Sequence, residues 1–182
     1  RLKEQVTALK AANSYISIMQ DLGQKLSIAV DLQHVQDIAQ HSLSKNLNAD
    51  VWMYFPETDQ AKTASDSISD KEKISANWTF KNHQPSGRFT QTLTENDWWF
   101  LPLLASKQCL GVVGLKFSSL QLALNSEQKQ LAEVMVEYIA QAISRTQLTK
   151  ALEIANVSSE TEKLRSALLS SVSHDLRSPL AS

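Results

Sequence analysis

The sequence predicts an α+β domain with an antiparallel sheet flanked by helices, followed by a long C-terminal helix. Three observations lead to this fold class. Apolar residues recur at helical spacing before residue 48 and after residue 125. The region between them carries short apolar runs of strand length, separated by turn residues. Asn125 offers an N-cap, and no proline or glycine follows it before Pro179, which allows one long exit helix.

Two helices are predicted ahead of the first strand. Apolar residues repeat every seven positions at Leu2, Leu9 and Ile16, which is typical of an amphipathic helix. Asp31 is a favourable N-cap residue, and apolar residues follow it at three-to-four spacing. We therefore expect a long entry helix and a second helix that begins after Asp31.

The central region contains a strand and a hairpin. The run Val51–Phe55 is apolar throughout, as expected for a strand covered on both faces. Two further runs, Trp98–Leu104 and Leu110–Phe117, flank a polar turn and indicate a hairpin. Gly111 and Gly114 inside the second run predict a bulge or a close approach of another backbone.

A short helix and an edge strand are predicted between the first strand and the hairpin. The edge strand lies around Ala61–Ala64. Ser69 and Glu72 have the spacing of a capping box, so a helix should begin there. We expect this helix to direct three apolar side chains inward: Ile74, Trp78 and Phe80.

These elements divide the chain into four segments. Residues 1–30 form the entry helix, and residues 31–146 form the domain core with the start of the exit helix. Residues 147–163 form a helical linker, and residues 164–182 begin a further helical domain. The stretch Asn156–Ser159 consists of weak helix formers, so the sequence leaves open whether the exit helix breaks there.

Composition disfavours several classes of function. The 182 residues include 18 Lys and Arg against 19 Asp and Glu, whereas nucleic-acid binding requires a clustered basic surface. No apolar run approaches the roughly 18 residues of a membrane span. The single cysteine excludes a disulfide framework and a thiolate metal site, so we expect a soluble, cytoplasmic segment without a metal.

The residues whose chemistry is most readily predicted, His174 and Asp175, lie near the C-terminus. On a helix at about 100° per residue, His174 faces away from the apolar arc that contains Leu164 and Val172, and we expect that arc to be buried. Asp175 can accept the imidazole proton while His174 attacks a phosphorus atom. The alternative for His174 and Asp175 is a surface histidine ahead of an ordinary helix-ending proline.

The segment Ser173–Leu180 reads Ser-His-Asp-Leu-Arg-Ser-Pro-Leu and resembles the H-box of sensor histidine kinases. The resemblance implies that His174 is the phosphoacceptor and Asp175 its general base. Ser178 matches the position associated with dephosphorylation of the partner regulator. Residues 164–182 would then begin the dimerisation and phosphoacceptor (HisKA) domain.

A second set of motif residues lies in the central region. It runs Ala76-x-Trp78-x-Phe80-x-x-His83-Gln-Pro85-x-Gly87-x-x-Thr90-x-Thr92-Leu93, then Trp99-x-x-Pro102-Leu103 and Gly111-Val-Val-Gly114-Leu. This pattern resembles the GAF domain that precedes the H-box in KdpD-type sensor histidine kinases. The resemblance implies a GAF-like antiparallel sheet for residues 31–146 and a signalling helix for residues 147–163.

The resemblance also implies a function for the intact protein. It would be an inner-membrane two-component sensor that regulates potassium uptake, and this chain would be a cytoplasmic sensory and relay segment. The intact kinase would use ATP and Mg to phosphorylate His174 and would pass the phosphate to a KdpE-like response regulator. We expect no kinase activity and no bound cofactor in the segment itself, since the resemblance places the ATP-binding domain after Ser182. The segment also has no Gly-rich phosphate loop.

We also expect a homodimer formed through the terminal helices. Apolar residues at the entry (Leu2, Val6, Leu9 and Ile16) and at the exit (Leu131–Ile143, continuing to Leu148 and Leu152) exceed what one small sheet can cover. A parallel pair would bring both His174 side chains to the same level. The alternative is a monomer in which the domain core itself covers Leu131–Ile143.

Two other functions remain open at this point. The chain could be a ligand-binding GAF domain of another histidine kinase, with Trp78, His83 and Trp98 lining a pocket, or a purely structural spacer. Trp78, Trp98 and Trp99 could equally be packing residues. Cys109 fits a buried strand cysteine better than a bilin site. Two further histidines are expected at the surface of the second helix: His34 and His41.

Overall fold

The computed structural model describes residues 1–56, 62–63, 68–118 and 120–180, without side chains at 62–63 and 178–180. Within these ranges the elements are α1 (Leu2–Ser27), α2 (Leu32–Leu47), β1 (Asp50–Tyr54), β2 (Lys62–Thr63), α3 (Asp70–Asn82), β3 (Ser86–Gly87), β4 (Trp98–Ala105), β5 (Gln108–Lys116) and α4 (Ser126–Leu180). The strands form one sheet in the order β2-β1-β5-β4-β3, and every neighbouring pair is antiparallel. The α+β fold class is confirmed.

The chain divides into two units, residues 1–146 and residues 147–182. The first unit contains the sheet, α1 to α3 and the beginning of α4, while the second consists of the rest of α4. The backbone is helical through Asn156–Ser159, so the exit helix does not break there. Among the residues that the structure describes, no helix is both long and apolar enough to cross a membrane.

Side chains of the central strands alternate between two cores. The first core contains residues of α1, α2 and α4 together with alternate residues of the sheet. The second core lies on the α3 side of the sheet. The strand residues of the first core include Val51, Met53, Trp99, Leu101, Leu103, Val113 and Leu115. Those of the second core are Trp52, Trp98, Phe100 and Val112.

The prediction that Ile74 of α3 points inward is wrong, because its side chain is 64% exposed. The helix buries Ala76, Ser75 and Thr79 instead. The reason is volume: tryptophan and phenylalanine side chains of the sheet fill this layer, and α3 can approach them only through small side chains. Phe80 is half-buried and packs against the same layer, in agreement with the prediction.

The predicted helix starts are confirmed by their hydrogen bonds. The Asp31 carboxylate accepts the backbone N–H of His34 at 2.8 Å. Ser69 and Glu72 form the reciprocal pair of a capping box. At the start of α4, the side-chain oxygen of Asn125 accepts a backbone N–H of the first turn at 2.7 Å. Each cap satisfies amide donors that a helix cannot pair internally.

The β4–β5 hairpin combines a tight turn with a bulge. Ser106 and Lys107 both have positive φ, 50° and 66°, as a two-residue turn between twisted strands requires. The register shifts by one residue after Leu103, which is the predicted irregularity. Gly111 also shows the predicted close approach, because a Cβ atom there would lie 2.4 Å from the carbonyl oxygen of Tyr54.

Arg145 joins α4 to the C-terminal end of α1. Its Nη1 donates to the Ser27 carbonyl at 3.0 Å, and its Nη2 donates to the carbonyls of Leu26 at 2.5 Å and Ala29 at 3.4 Å. The last carbonyls of a helix lack intrahelical donors and carry partial negative charge, so a guanidinium is well suited to them. Arg145 thereby holds the end of the first unit's α4 segment against α1.

Replacing Gly111 by alanine should lower the free energy of unfolding by about 2 kcal/mol, because the added methyl group collides with backbone that cannot move away. The matched control is Gly23→Ala, where the new Cβ would meet a side chain at an ordinary 4.0 Å and helix propensity improves. The control should gain about 0.5–1 kcal/mol. Urea unfolding followed by tryptophan fluorescence reports on the first unit, which holds all four tryptophans. Equal stabilities of the two variants would contradict the close approach.

Replacing Arg145 by alanine should lower the free energy of unfolding of the first unit by about 1 kcal/mol, since three carbonyls lose a charged donor. Arg165→Ala is the control, because the Arg165 side chain is exposed in the second unit. The same urea unfolding experiment measures both variants. A loss of similar size in Arg165→Ala would argue against a specific role for Arg145.

Candidate functional site

The phosphoacceptor candidate His174 is freely accessible. It lies in α4 beside Asp175, and the two side chains are 85% and 80% exposed. His174 Nδ1 is 3.8 Å from Asp175 Oδ1, within the range of an ion pair. An imidazole that carries its proton on Nδ1, facing this carboxylate, keeps its lone pair on Nε2 for attack on an electrophile. The pair therefore has the geometry of an accessible nucleophile beside a base.

An apolar arc lies on the other side of this helical segment. Val172 is about 200° around the helix from His174. The sequence predicted that the arc is buried, but its side chains are exposed because the second unit is one helix. The residues of the arc are Leu164, Leu168, Leu169, Val172 and Leu176.

The backbone of Ser178 is helical and forms part of α4, but the structure does not describe its side chain. Its role in dephosphorylation therefore stays a prediction.

The second core is an aromatic layer that contains the pocket candidate Trp98. Trp98 stacks on Phe100 with ring centroids 6.5 Å apart, and Trp52 meets Phe100 edge-on at 6.0 Å. The ammonium group of Lys116 lies 5.8 Å from the Trp98 ring centroid, in cation–π geometry. These contacts make Trp98 a packing residue of the sheet, which was one of the two predicted possibilities.

The other two pocket candidates lie in different environments. Trp78 is half-buried on α3. His83 is exposed and ends α3 with a φ of 58°, where its backbone N–H bonds to the carbonyl of Thr79. His83 therefore has a structural position as a helix C-cap.

A buried polar cluster connects α3 to β3 and to the loop before β4. The Ser86 hydroxyl donates to the Ser75 carbonyl at 2.9 Å and lies 2.7 Å from the Thr79 hydroxyl. The Asn96 amide donates to the Ser75 hydroxyl at 2.7 Å. The sequence did not reveal this cluster, because isolated Ser, Thr and Asn residues carry no spacing signal.

Cys109 and the two histidines of α2 have the predicted environments. Cys109 is buried, and its thiol donates to the Gly111 carbonyl at 3.2 Å. Burial raises the pKa of the Cys109 thiol, which keeps it neutral and unreactive. His34 and His41 are exposed. In the described ranges no three His, Cys, Asp or Glu side chains are grouped so that they could hold a metal ion.

Comparison with curated proteins identifies homologues over most of the chain. No family model matches the chain. The sensor protein KdpD of Clostridium acetobutylicum is 34% identical over 169 residues and covers 86% of this chain. The sensor protein KdpD of Escherichia coli strain K12 is 28% identical over 163 residues and covers 88% of it. The chain spans about a fifth of the length of each relative, 19% and 18%.

Solved structures share the fold. The GAF domain of the potassium sensor histidine kinase KdpD from Escherichia coli superposes with a TM-score of 0.62 at 23% identity, covering 74% of this chain and 97% of that domain. The GAF domain of an Acinetobacter phosphoenolpyruvate-protein phosphotransferase reaches 0.58 at 11% identity, covering 75% and 96%. The chain is therefore homologous to part of the KdpD sensor proteins and has the GAF fold.

Proposed function

We propose that this chain is a sensory and relay segment of a two-component sensor histidine kinase, and that His174 is the phosphoacceptor. The observation that carries the proposal is the exposed His174 side chain, which lies beside Asp175 and opposite an exposed apolar arc on the helix that leaves a GAF fold. Homology to KdpD over most of the chain supports the same function.

The proposed chemistry is transfer of the γ-phosphoryl group of ATP. His174 Nε2 forms a bond to the γ-phosphorus while the bond from that phosphorus to the bridging oxygen breaks, and ADP leaves with Mg. Asp175 accepts a hydrogen bond from the Nδ1–H group of His174. It then takes that proton as positive charge develops on the imidazole ring. An aspartate of a KdpE-like response regulator then takes the phosphoryl group from His174. Ser178 would assist hydrolysis of the regulator's aspartyl phosphate, in which water takes the phosphoryl group and the free aspartate is restored.

The names of the relatives support a physiological setting for this segment. One of the similar structures is described as a potassium sensor histidine kinase, and both curated relatives are sensor proteins. We place this segment in the cytoplasmic part of an inner-membrane sensor that regulates potassium uptake. ATP and Mg would be bound by another part of the kinase, so the segment itself carries no cofactor.

We further propose that the active form is a parallel homodimer through the terminal helices. In the first unit, α1 exposes four apolar side chains on one stripe: Leu2, Val6, Leu9 and Ile16. In the second unit, Leu148 and Leu152 are likewise exposed. A second copy of the chain presents the same stripes at the same levels, which is what a parallel helical bundle requires.

The phosphoacceptor role predicts the outcome of labelling with radioactive ATP. The wild-type chain with Mg·ATP alone should remain unlabelled, whereas adding the ATP-binding domain of a KdpD relative should label it. His174→Gln should abolish the label because the attacking nitrogen is lost. His41→Gln, at an exposed histidine of α2, is the control and should keep the label. Label that persists in His174→Gln would identify a different acceptor.

The proposed dimer predicts the effect of charge on the exit stripe. Leu148→Glu combined with Leu152→Glu should weaken self-association by about tenfold or more, since two side chains that the proposed dimer interface buries become charged. The double variant Ile74→Glu with Leu93→Glu changes two exposed apolar residues elsewhere and should leave association unchanged. Analytical ultracentrifugation over a concentration series measures both. A wild-type chain that stays at 20.3 kDa at high micromolar concentration would disprove the dimer.

A further inference from the structure

The connection between α3 and β4 is bonded at both ends to the same residue of α3. At its start, the Ser86 hydroxyl donates to the Ser75 carbonyl at 2.9 Å. At its end, the Asn96 side-chain amide donates to the Ser75 hydroxyl at 2.7 Å. All three residues are buried. Residues 86–96, here called the strap, are therefore fastened to α3 at both ends.

The middle of the strap contacts the segment that leaves β5. The Arg88 guanidinium donates through Nη1 to the Ser118 carbonyl at 3.4 Å and through Nη2 to the Gln121 carbonyl. Its Cζ atom also lies 4.8 Å from the ring centroid of the neighbouring Phe89, in cation–π geometry. Arg88 is therefore a bridge from the strap to the connection between β5 and α4.

Phe89 carries the strap across the edge of the sheet. Its ring meets Trp99 and Phe117 edge-on and packs against the first core. Ser86, earlier in the strap, is bonded to α3 on the opposite face of the sheet. The strap is thus in contact with both layers that pack on the sheet.

The segment that Arg88 holds leads directly into α4. The Gln121 side-chain amide donates to Oε1 of Gln128, in the first turn of α4, at 3.1 Å. The backbone N–H of Gln128 is bonded to the side chain of the Asn125 cap at 2.7 Å. Hydrogen bonds and a short piece of backbone therefore connect Ser75 of α3 to the first turn of α4.

Two non-glycine residues of the strap have backbone conformations that L-amino acids rarely adopt. Phe89 and Leu93 have positive φ values of 66° and 54°. Bulky side chains in this region cost conformational energy, and such residues persist only while surrounding contacts hold them. The bonds at Ser75 and those of Arg88 oppose relaxation of the strap. Loss of the bonds at either place should therefore favour a relaxed strap.

We propose that the strap is a two-state element that couples α3 to the start of α4, with Arg88 as the residue that makes the connection. The conformation described above is the closed state. In the open state Phe89 and Leu93 return to ordinary φ values, and Arg88 releases the two carbonyls. The first turn of α4 then loses the support of Gln121 and exchanges its amide hydrogens faster. The inference rests on the proposed function, since it gives the sensory and relay segment a route to its exit helix.

Hydrogen exchange of the 182-residue chain, followed by mass spectrometry over residues 120–130, tests the coupling. Ser75→Ala removes the hydroxyl that Asn96 binds and should raise the exchange rate of these residues by about threefold or more. Val35→Ala is the control, because it removes two buried methyl groups of α2 and none of the strap's hydrogen bonds. Its exchange rate over residues 120–130 should stay within about twofold of wild type.

The same measurement in an Arg88→Ala background separates coupling from local damage. Arg88→Ala should itself raise the exchange rate over residues 120–130 by about tenfold, and adding Ser75→Ala should then have no further effect. Arg88→Lys keeps the charge without the planar fork that reaches two carbonyls, so its rate should lie between those of wild type and Arg88→Ala. If Arg88→Ala fails to fold, Arg88→Lys serves as the background, in which the effect of Ser75→Ala should be reduced.

Two variants at Leu93, which is 44% exposed, test the role of the backbone conformation. Asparagine tolerates a positive φ, whereas β-branched valine disfavours it strongly. Leu93→Asn should therefore slow exchange over residues 120–130 by about twofold, and Leu93→Val should accelerate it by about twofold. Tryptophan fluorescence and circular dichroism verify that each variant is folded.

Three results would each overturn the coupling: a Ser75→Ala effect of the same size with and without Arg88, an equal effect of Val35→Ala, or equal rates in the two Leu93 variants. These measurements use neither ATP nor His174. The phosphoacceptor proposal would then still stand on the labelling experiment. Conversely, label that persists in His174→Gln would contradict the phosphoacceptor proposal and leave the coupling of α3 to α4 intact.

Discussion

The burial of the α4 segment Ala132–Ile143 in the first core is the interaction on which the rest of the structure depends. Ala132, Met135, Ile139 and Ile143 are completely buried in the first core. The same helix continues into the second unit and carries His174. A helix that is anchored in the core at its start has a defined rotation there, and Arg145 reinforces it through the carbonyls at the end of α1. Rotation is the quantity that decides which side of a helix is accessible.

The sheet of the first unit is packed on both faces. The first core, with α1, α2 and α4, lies on one face, and α3 lies on the other. Trp98 and Trp99 are neighbours on β4 but enter opposite cores. Gly111 and Gly114 allow β5 to contact Tyr54 and Phe100 closely, since a Cβ atom at either position would collide with its neighbour. Layers packed in this way leave little free volume between the α3 side and the α1–α2–α4 side.

Much of the fold was predictable because it rests on local signals. The caps at Asp31, Ser69 and Asn125 act within one turn of helix, and each is confirmed. The hairpin and its irregularity follow from apolar runs and glycine positions, and both are confirmed. The H-box residues lie consecutively, so a linear motif indicates His174 and Asp175 directly.

The sequence by itself determined the order of the elements, the α+β class and the site of candidate phosphotransfer chemistry. Only the tertiary structure decided which helix faces are buried. Ile74 is exposed because the aromatic side chains of the sheet leave room for Ser75, Ala76 and Thr79 alone, and no local pattern in α3 records that volume. The apolar arc around Leu168 is exposed because no other element of the second unit packs on it. Its periodicity specifies an apolar face, but burial depends on a surface that covers it, and within the second unit one helix offers none.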